Sequence, residues 1–424
     1  MSLFDDLTWR GLIAHSTDPA ALKQDFDHGR ITFYVGFDPT APSLHMGNLL
    51  QLITVRRLQD AGHRPILLVG GSTGLIGDPR QSSERVLNPK ELVHEWGDRI
   101  RSQVERFVSF EGENGAVIVN NYDWTVGLST LDFLRDIGKH FSVNRMLDRE
   151  VVRTRLESGI SYTEFSYVLL QSLDYLELHK RYGATLQTGG SDQWGNITAG
   201  VELIRRVTGA RVHAMSTPLI TRADGVKYGK TESGTLWLSP EMTSPYAFHQ
   251  FFLNAEDSMV GHYLRVFTTR GAEEIAELER LTAEAPHLRA AQRALADDLT
   301  DLVHSPAERE AATAAAAAIF GQGDLGRLDA ATLDAVAREL PGATWERLDG
   351  RTQLDALADS GVFGSRAGAK RAVSEGGAYI NNQRVTAPEQ PITPDDLLGG
   401  RVVIVRRGKR TVAALRVGAG PGLQ

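Results

Sequence analysis

The sequence predicts an α/β protein: a parallel sheet flanked by helices, then a helical region, then a small α+β tail. The first observation behind this is residues 31–58, ITFYVGFDPTAPSLHMGNLLQLITVRRL. A β-type run over 31–37 breaks at Asp38-Pro39-Thr40-Ala41-Pro42, where two prolines exclude an uninterrupted helix or central strand. From His45 onward, Leu49, Leu52, Ile53 and Leu58 follow the helical period. The second observation is that strand, polar turn and helix recur farther along the chain, at 65–78 and 186–206. The third is a change of composition, helical from about residue 239 and basic from 361 to 424.

Composition narrows the class. The chain has 424 residues, 42% of them hydrophobic and 23% charged, enough for two or three domains with their own cores. Its lack of cysteine excludes disulfides, thiolate nucleophiles and cysteine-based metal sites, and fits a reducing compartment. The start, MSLFDDLTWRGL, is acidic and amphipathic and does not read as a signal peptide, and no apolar run approaches a membrane span. A formal charge of -7 argues against a uniformly basic nucleic-acid binder. That total hides an asymmetry, because residues 361–424 hold ten Lys or Arg against four Asp or Glu. Polyanion attraction is thereby expected at one end of the chain.

Residues 3–28 read as helical segments joined near 15–19, with Ser16 or Asp18 as the cap of the second. Strands over 31–37 and 65–71, joined by a helix from His45 to about Ala61, predict a parallel pair with a right-handed crossover. The second strand runs into LLVGGSTGLIGDP, where Gly70, Gly71, Gly74 and Gly77 allow sharp turns or close approach of a ligand, and Asp78 adds a carboxylate. A plain turn with Asp78 capping a helix explains this segment equally well on its own. Residues 90–110 are a long amphipathic helix and 116–120 a strand. Residues 121–150 read as short helices, with Trp124, Leu128, Leu131, Phe133 and Leu134 filling either a core or a subunit interface. Arg145, Arg149, Arg153 and Arg155 form a basic ridge, either solvated or facing RNA phosphates.

In SYTEFSYVLLQSLDYLELHKRYG, Tyr167, Gln171 and Asp174 fall at i, i+4 and i+7 and share one helix face. A phenol, an amide and a carboxylate on one face suit either solvent or a polar small molecule with ammonium and hydroxyl groups. The segment TLQTGGSDQWGNITAG then gives a strand over 186–188, ended by Gly189 and Gly190, and a helix begun by Asp192 or Asn196. Gln187, Asp192 and Gln193 cluster at that junction. Three polar clusters at one predicted sheet edge indicate an active site. Lys227 and Lys230 flank Tyr228 and Gly229 in a polar loop, where two ammonium groups suit a triphosphate. Two solvated lysines are the simpler alternative.

Together, YVGFDPTAPSLHMGN, GGSTGLIGDP, YVLLQSLD, GGSDQWGN and KYGKT closely resemble the bacterial tyrosyl-tRNA synthetases, a class I aminoacyl-tRNA synthetase family. His45-Met46-Gly47-Asn48 is similar to the family's HIGH signature, departing at Met46 and Asn48, and Lys227-Tyr228-Gly229-Lys230-Thr231 to its KMSKS. The resemblance implies a Rossmann-like catalytic domain over 1–221, with a dimer-interface segment. It implies a helical anticodon-side domain with the mobile signature loop over 222–322, a connector over 323–353 and an S4-like RNA-binding domain over 354–424. It also implies that Tyr34 and Asp174 read the substrate phenol, and that Asp78, Tyr167, Gln171 and Gln193 hold the amino acid. Gly36, Asp38, Thr40, His45, Gly47, Asn48, Gly190, Asp192, Lys227 and Lys230 would surround ATP. His45, Asn48, Lys227, Lys230 and Thr231 would serve catalysis. Mg2+ would accompany ATP, with no tightly bound structural metal. Partners would be L-tyrosine, tRNA(Tyr) and a second copy of the chain, in the cytoplasm and away from membranes.

Departures bear on the nucleotide. The segment after Asp78-Pro79 lacks the family's lysine and is one residue shorter, leaving Arg80 or Arg85 as its substitute. Val35, Asn48 and Gln51 would retune nucleotide contacts. In the tail, Arg366, Lys370, Arg371, Arg384, Arg406, Arg407, Lys409 and Arg410 are candidates for a phosphate-facing patch. The alternatives are a tryptophan-activating synthetase, a nucleotidyltransferase making another product, and a noncatalytic RNA-binding descendant. Tyr34 and Asp174 argue against the first, and His45 with both lysines against the last.

Overall fold

The computed structural model describes residues 2–79, 87–231 and 234–418, with Lys230 and Thr231 by backbone alone. The chain divides into two compact units, Met1–Met242 with Ser258–Glu279, and Thr243–Asp257 with Arg280–Gln424. The first unit is α/β and carries a mixed, mainly parallel sheet.

Among the described residues that sheet has six strands: β1 (His15–Ser16), β2 (Thr32–Phe37), β3 (Arg64–Val69), β4 (Val117–Asn120), β5 (Leu186–Gly190) and β6 (His213–Thr217). Their order is β1-β6-β5-β2-β3-β4. From β2 to β6 all neighbours are parallel, with Tyr34 opposite Ile66 on one side and Gln187 on the other, while β1 joins β6 antiparallel. The near-continuous apolar run of β3 follows from burial on both faces, with Ile66, Leu67, Leu68 and Val69 all in the core. Gly189 and Gly190, expected to end their strand, belong to β5 and pair with Ser216 and Thr217. A short hairpin, β7 (Lys230–Thr231) with β8 (Gly234–Thr235), lies in the same unit.

Four helices of this unit frame the sheet and its carboxyl edge: α1 (Met46–Asp60), α2 (Lys90–Val104), α3 (Tyr162–Tyr182) and α4 (Trp194–Thr208). α1 opens on a capping box: the backbone N–H of Gly47 donates to His45 Nδ1 at 3.0 Å, and that of His45 to Asn48 Oδ1 at 3.1 Å. Near the N-terminus Asp18 caps helix Pro19–His28, accepting from the Ala21 N–H at 3.0 Å. Residues 121–153 form short helical pieces. There Trp124 is buried and Leu128 and Phe133 pack partly against the core, whereas Leu131 and Leu134 are exposed.

The basic ridge expected over 145–155 is not continuous. Arg145 and Arg153 are exposed, but Arg155 is buried in an ion pair with Glu164 at 3.2 Å, and Arg149 is half-buried. Helical spacing put these residues near one another without showing which of them turn inward.

In the second unit a five-stranded sheet among the described residues runs β11 (Gln383–Arg384), β10 (Ala378–Ile380), β12 (Val402–Arg407), β13 (Thr411–Val417), β9 (Gly342–Trp345). Val402 and Ile404 face a cluster with Ala312, Ala315 and Ala318 of helix Pro306–Ile319, and Val403 and Val405 face one with Leu354, Leu357 and Phe363. Alternate strand residues thus bury both sheet faces, and small alanines let the helix approach closely. The stretch 323–353, expected as a connector, supplies helix Ala330–Glu339 and the edge strand β9, paired in parallel with β13.

Candidate active site

The carboxyl ends of β2, β3 and β5 open into a cavity of about 550 Å3 within the first unit. A strand-to-helix edge of a parallel sheet is where open α/β proteins seat ligands. Gly70 and Gly71 let the β3 end approach its neighbours. A Cβ on Gly70 would lie 2.0 Å from Asp38 Oδ1, and one on Gly71 2.3 Å from Asn120 Oδ1.

The closed end is the most buried. Tyr34 from β2 is 1% exposed and Asp174 from α3 is 2% exposed. Asp174 accepts from Asn121 Nδ2 at 3.0 Å and from Trp124 Nε1 at 2.9 Å. Burial pushes the Asp174 carboxyl up to about 7, against the opposing pull of those two donors. Burial, followed by the charge of Asp174, raises the Tyr34 phenol well above its ordinary range. Among the described residues the Tyr34 hydroxyl has no hydrogen-bond partner. A buried, unpaired hydroxyl beside a carboxylate is poised to bond a second hydroxyl.

A hydrogen-bond chain links this end to the middle. Asn121 Nδ2 also donates to Thr73 Oγ1 at 2.9 Å, Thr73 Oγ1 to Asp38 Oδ1 at 2.6 Å, and the Tyr167 hydroxyl to Asp38 Oδ2 at 2.7 Å. Asp78 accepts from Gln193 Nε2 at 2.8 Å and Asn196 Nδ2 at 3.1 Å. The bonds found for Asp78 thus reach α4 and the turn before it. Gln171 lines the cavity, its Oε1 unpaired among the described residues.

The open end holds Gly36, Thr40, His45, Gly47, Asn48, Gly190, Asp192 and Lys227. Because the Gly47 N–H occupies His45 Nδ1, a neutral ring carries its proton on Nε2. Although the residue is exposed, loss of hydration by its ring holds its pKa below the ordinary value, with the nearby Lys227 charge adding to this. Gln51 Nε2 donates to Thr217 Oγ1 at 2.5 Å. Lys227 is exposed. The next residue, Tyr228, is buried and stacks on Tyr263, ring centres 4.0 Å apart. Gly229 lies so close to Met46 that a Cβ there would come within 2.4 Å of the methionine Cβ. The stretch leading out of the lysine loop pairs with the start of α1, Met46 N–H donating to the Leu236 carbonyl at 3.0 Å and Leu238 N–H to that of Leu44 at 2.9 Å. The side chains of Lys230 and Thr231 lie outside the described residues, as do Arg80 and Arg85 altogether.

Residues 27–321 match the family model of class I tRNA synthetases (W and Y), and residues 333–414 that of the tyrosine–tRNA ligase SYY-like C-terminal domain. The tyrosine–tRNA ligase of Cutibacterium acnes is 62% identical over 97% of this chain and 99% of its own length. The chain belongs to the tyrosine–tRNA ligase family. The Streptomyces coelicolor tyrosine–tRNA ligase is 56% identical over 98% of this chain and 99% of its own. A C-terminally truncated mitochondrial tyrosyl-tRNA synthetase of Coccidioides posadasii superposes with a TM-score of 0.65 at 30% identity, covering 74% of this chain and 91% of that one. Within the tyrosine–tRNA ligase family the tryptophan alternative is not favoured.

Three residues at the closed end are absent from the sequence-derived set: Asn121, Trp124 and Thr73. Asn121 directly follows β4 at the same sheet edge as the others, which is its signal. Trp124 reads as an ordinary core residue because its indole is apolar except for the one N–H that Asp174 uses. In the tail, Arg406 does not join an exposed patch. It is 8% exposed, with its guanidinium 4.2 Å from the centre of the Tyr379 ring and donating to the Gly408 carbonyl at 2.6 Å. Arg366 is paired with Asp355, Lys370 lies 3.5 Å from Glu389, Arg384 packs against Gly376, and Arg407 donates to the Val362 carbonyl at 3.2 Å. These four remain exposed, as are Arg371, Lys409 and Arg410, so Arg406 alone of the eight is buried.

Proposed function

We propose that the chain activates L-tyrosine with ATP, forming tyrosyl-adenylate and pyrophosphate, and transfers the tyrosyl group to the terminal ribose of tRNA(Tyr), releasing AMP. The observation that carries the choice of amino acid is the buried Tyr34 hydroxyl, unpaired among the described residues, beside Asp174 at the closed end. Rejection of analogues lacking a hydroxyl by such a site is a rule for which the tyrosyl enzyme is itself the standard case.

In this reading the substrate phenol donates to Asp174 and is met by Tyr34. Its α-ammonium sits among Asp78, Tyr167 and Gln171, with Gln193 beside them. The tyrosine carboxylate attacks the α-phosphorus of ATP, and the bond to pyrophosphate breaks. No protein nucleophile is needed, so catalysis rests on alignment and on charge placed where it grows. His45 Nε2–H, Asn48, Thr40 and Lys227 surround the phosphates, with Lys230 and Thr231 following in the same loop. Gly36, Asp38, Gly47, Gly190 and Asp192 line the nucleotide's path. Mg2+ enters with ATP as part of the substrate. Among the described residues no group of three or more His, Asp or Glu side chains is placed to hold a metal.

The homodimer is supported by large apolar side chains exposed within 126–162, among them Val126, Leu131, Val143 and Tyr162. Arg371, Lys409 and Arg410, together with the match of the tail to its family model, favour RNA contact there. Among the described residues no helix is long and apolar enough to cross a membrane, and the compartment proposed is the cytoplasm. The test is amino-acid-dependent ATP–pyrophosphate exchange with tyrosine, phenylalanine and tryptophan, followed by tRNA charging. Exchange with tyrosine above the other two is expected; its absence under active conditions overturns the proposal.

A further inference from the structure

Arg149 read from sequence as part of a basic surface, but its guanidinium turns inward. Nη2 donates to Asn196 Oδ1, and Nε lies 3.3 Å from where a Cβ on Gly195 would sit, so the group lies over the start of α4. Asn196 is 1% exposed. Its Nδ2 donates in the opposite direction, to Asp78 Oδ1 at 3.1 Å and Gln193 Oε1 at 2.9 Å. Gln193 Nε2 closes the triangle on Asp78 Oδ2 at 2.8 Å.

The chemistry of the amide gives this arrangement a direction. An asparagine side chain has one accepting end and one donating end, and flipping it exchanges them. A cation at one side admits only the oxygen, which leaves the NH2 facing Asp78. Flipped, the amide would set its oxygen against the carboxylate and its NH2 against the guanidinium, two repulsive contacts in a buried place. The Asp78 charge is felt at Arg149, partly offsetting the loss of hydration that lowers the arginine's pKa.

We propose that Arg149 is a positioning residue for amino-acid binding: it locks the Asn196 amide so that Asn196 and Gln193 hold the Asp78 carboxylate ready for a primary ammonium. The inference rests on the proposed function, in which Asp78 receives the substrate's α-ammonium. Arg149 touches no substrate atom in this scheme, and its effect is confined to ligands that carry the ammonium.

The test measures equilibrium binding of L-tyrosine and of 3-(4-hydroxyphenyl)propanoate, which lacks only the amino group, to the full chain and to Asp78→Asn, Arg149→Met and Arg149→Lys. Arg149→Met is expected to weaken tyrosine about tenfold, the size of one hydrogen bond to a charged group, while the deamino ligand changes less than about twofold. Arg149→Lys should restore part of the loss. The ratio of two affinities in one protein is insensitive to a fraction that fails to fold. If Asp78→Asn is selective for the ammonium but Arg149→Met weakens both ligands equally, or neither, the inference is overturned and Asp78 keeps its role. If Asp78→Asn itself fails to discriminate, the Asp78 assignment falls and takes the inference with it.

Discussion

The two ends of the cavity differ in how far their chemistry is assembled by the fold. At the closed end, Asp174 and Tyr34 are sealed in the core, and Asn121 and Trp124 fix both carboxylate oxygens. At the open end, His45 and Lys227 are exposed and belong to a helix start and a loop. Burial makes each polar contact at the closed end costly to leave unmade, which suits discrimination between a phenol and a bare ring. Exposure keeps the Lys227 ammonium hydrated until a polyphosphate displaces the water, which suits charge that grows during a reaction. In the proposed function, selectivity and rate are thereby built from different materials in one pocket.

Substitutions at the two ends should separate these functions. The largest effect is expected for Asp174→Asn, which turns an amide toward the Trp124 and Asn121 donors. It should cut kcat/KM for tyrosine in pyrophosphate exchange by about a thousandfold, the range for breaking a buried charged contact, and leave the KM for ATP near its native value. Lys227→Ala should do the reverse, lowering kcat by about a hundredfold with tyrosine binding unchanged in a direct titration. Equal losses in both measurements for either variant would erase the division.

A smaller change sharpens it. Trp124→Phe removes one donor to Asp174 and should weaken tyrosine binding about tenfold. Because burial raises the Asp174 carboxyl to about 7, the ionised form proposed to accept the phenol's hydrogen bond is lost as pH falls through that value. Tyrosine affinity should therefore rise with pH through about 7, and loss of the indole N–H, which favours the ionised form, should move that midpoint to higher pH. An unshifted midpoint would show that the indole does not set the charge. The smallest effect is expected for Tyr228→Leu, which removes the stack on Tyr263 and should raise the KM for ATP about threefold without altering tyrosine binding.

Much of the fold was legible in the chain. The two prolines after 37 and the glycines after 69 mark where strands end, and the apolar spacing from His45 marks α1. The glycines at 189 and 190 set the strand end two residues too early, since both pair within β5, which closes at Gly190. At the site, residues on one element were readable by spacing, as with Tyr167, Gln171 and Asp174 on α3. Contacts between distant segments were not, and Asn121, Trp124 and Thr73 matter only because β4, its following turn and the β3 turn meet α3. Charge was the poorest guide. Arg149, Arg155 and Arg406 all read as surface cations, yet each spends its guanidinium on an internal acceptor or ring. Sequence gives the number of cations, while packing decides which of them face solvent.

The most direct test of the closed end is the ratio of kcat/KM for tyrosine over phenylalanine in pyrophosphate exchange, compared between the native chain and Tyr34→Phe, with the KM for ATP measured alongside. Removal of the buried Tyr34 hydroxyl should lower that ratio about tenfold, almost wholly through tyrosine, with the KM for ATP within about twofold of native. An unchanged ratio, or a parallel fall for both amino acids, would contradict the claim that this buried corner reads the phenol.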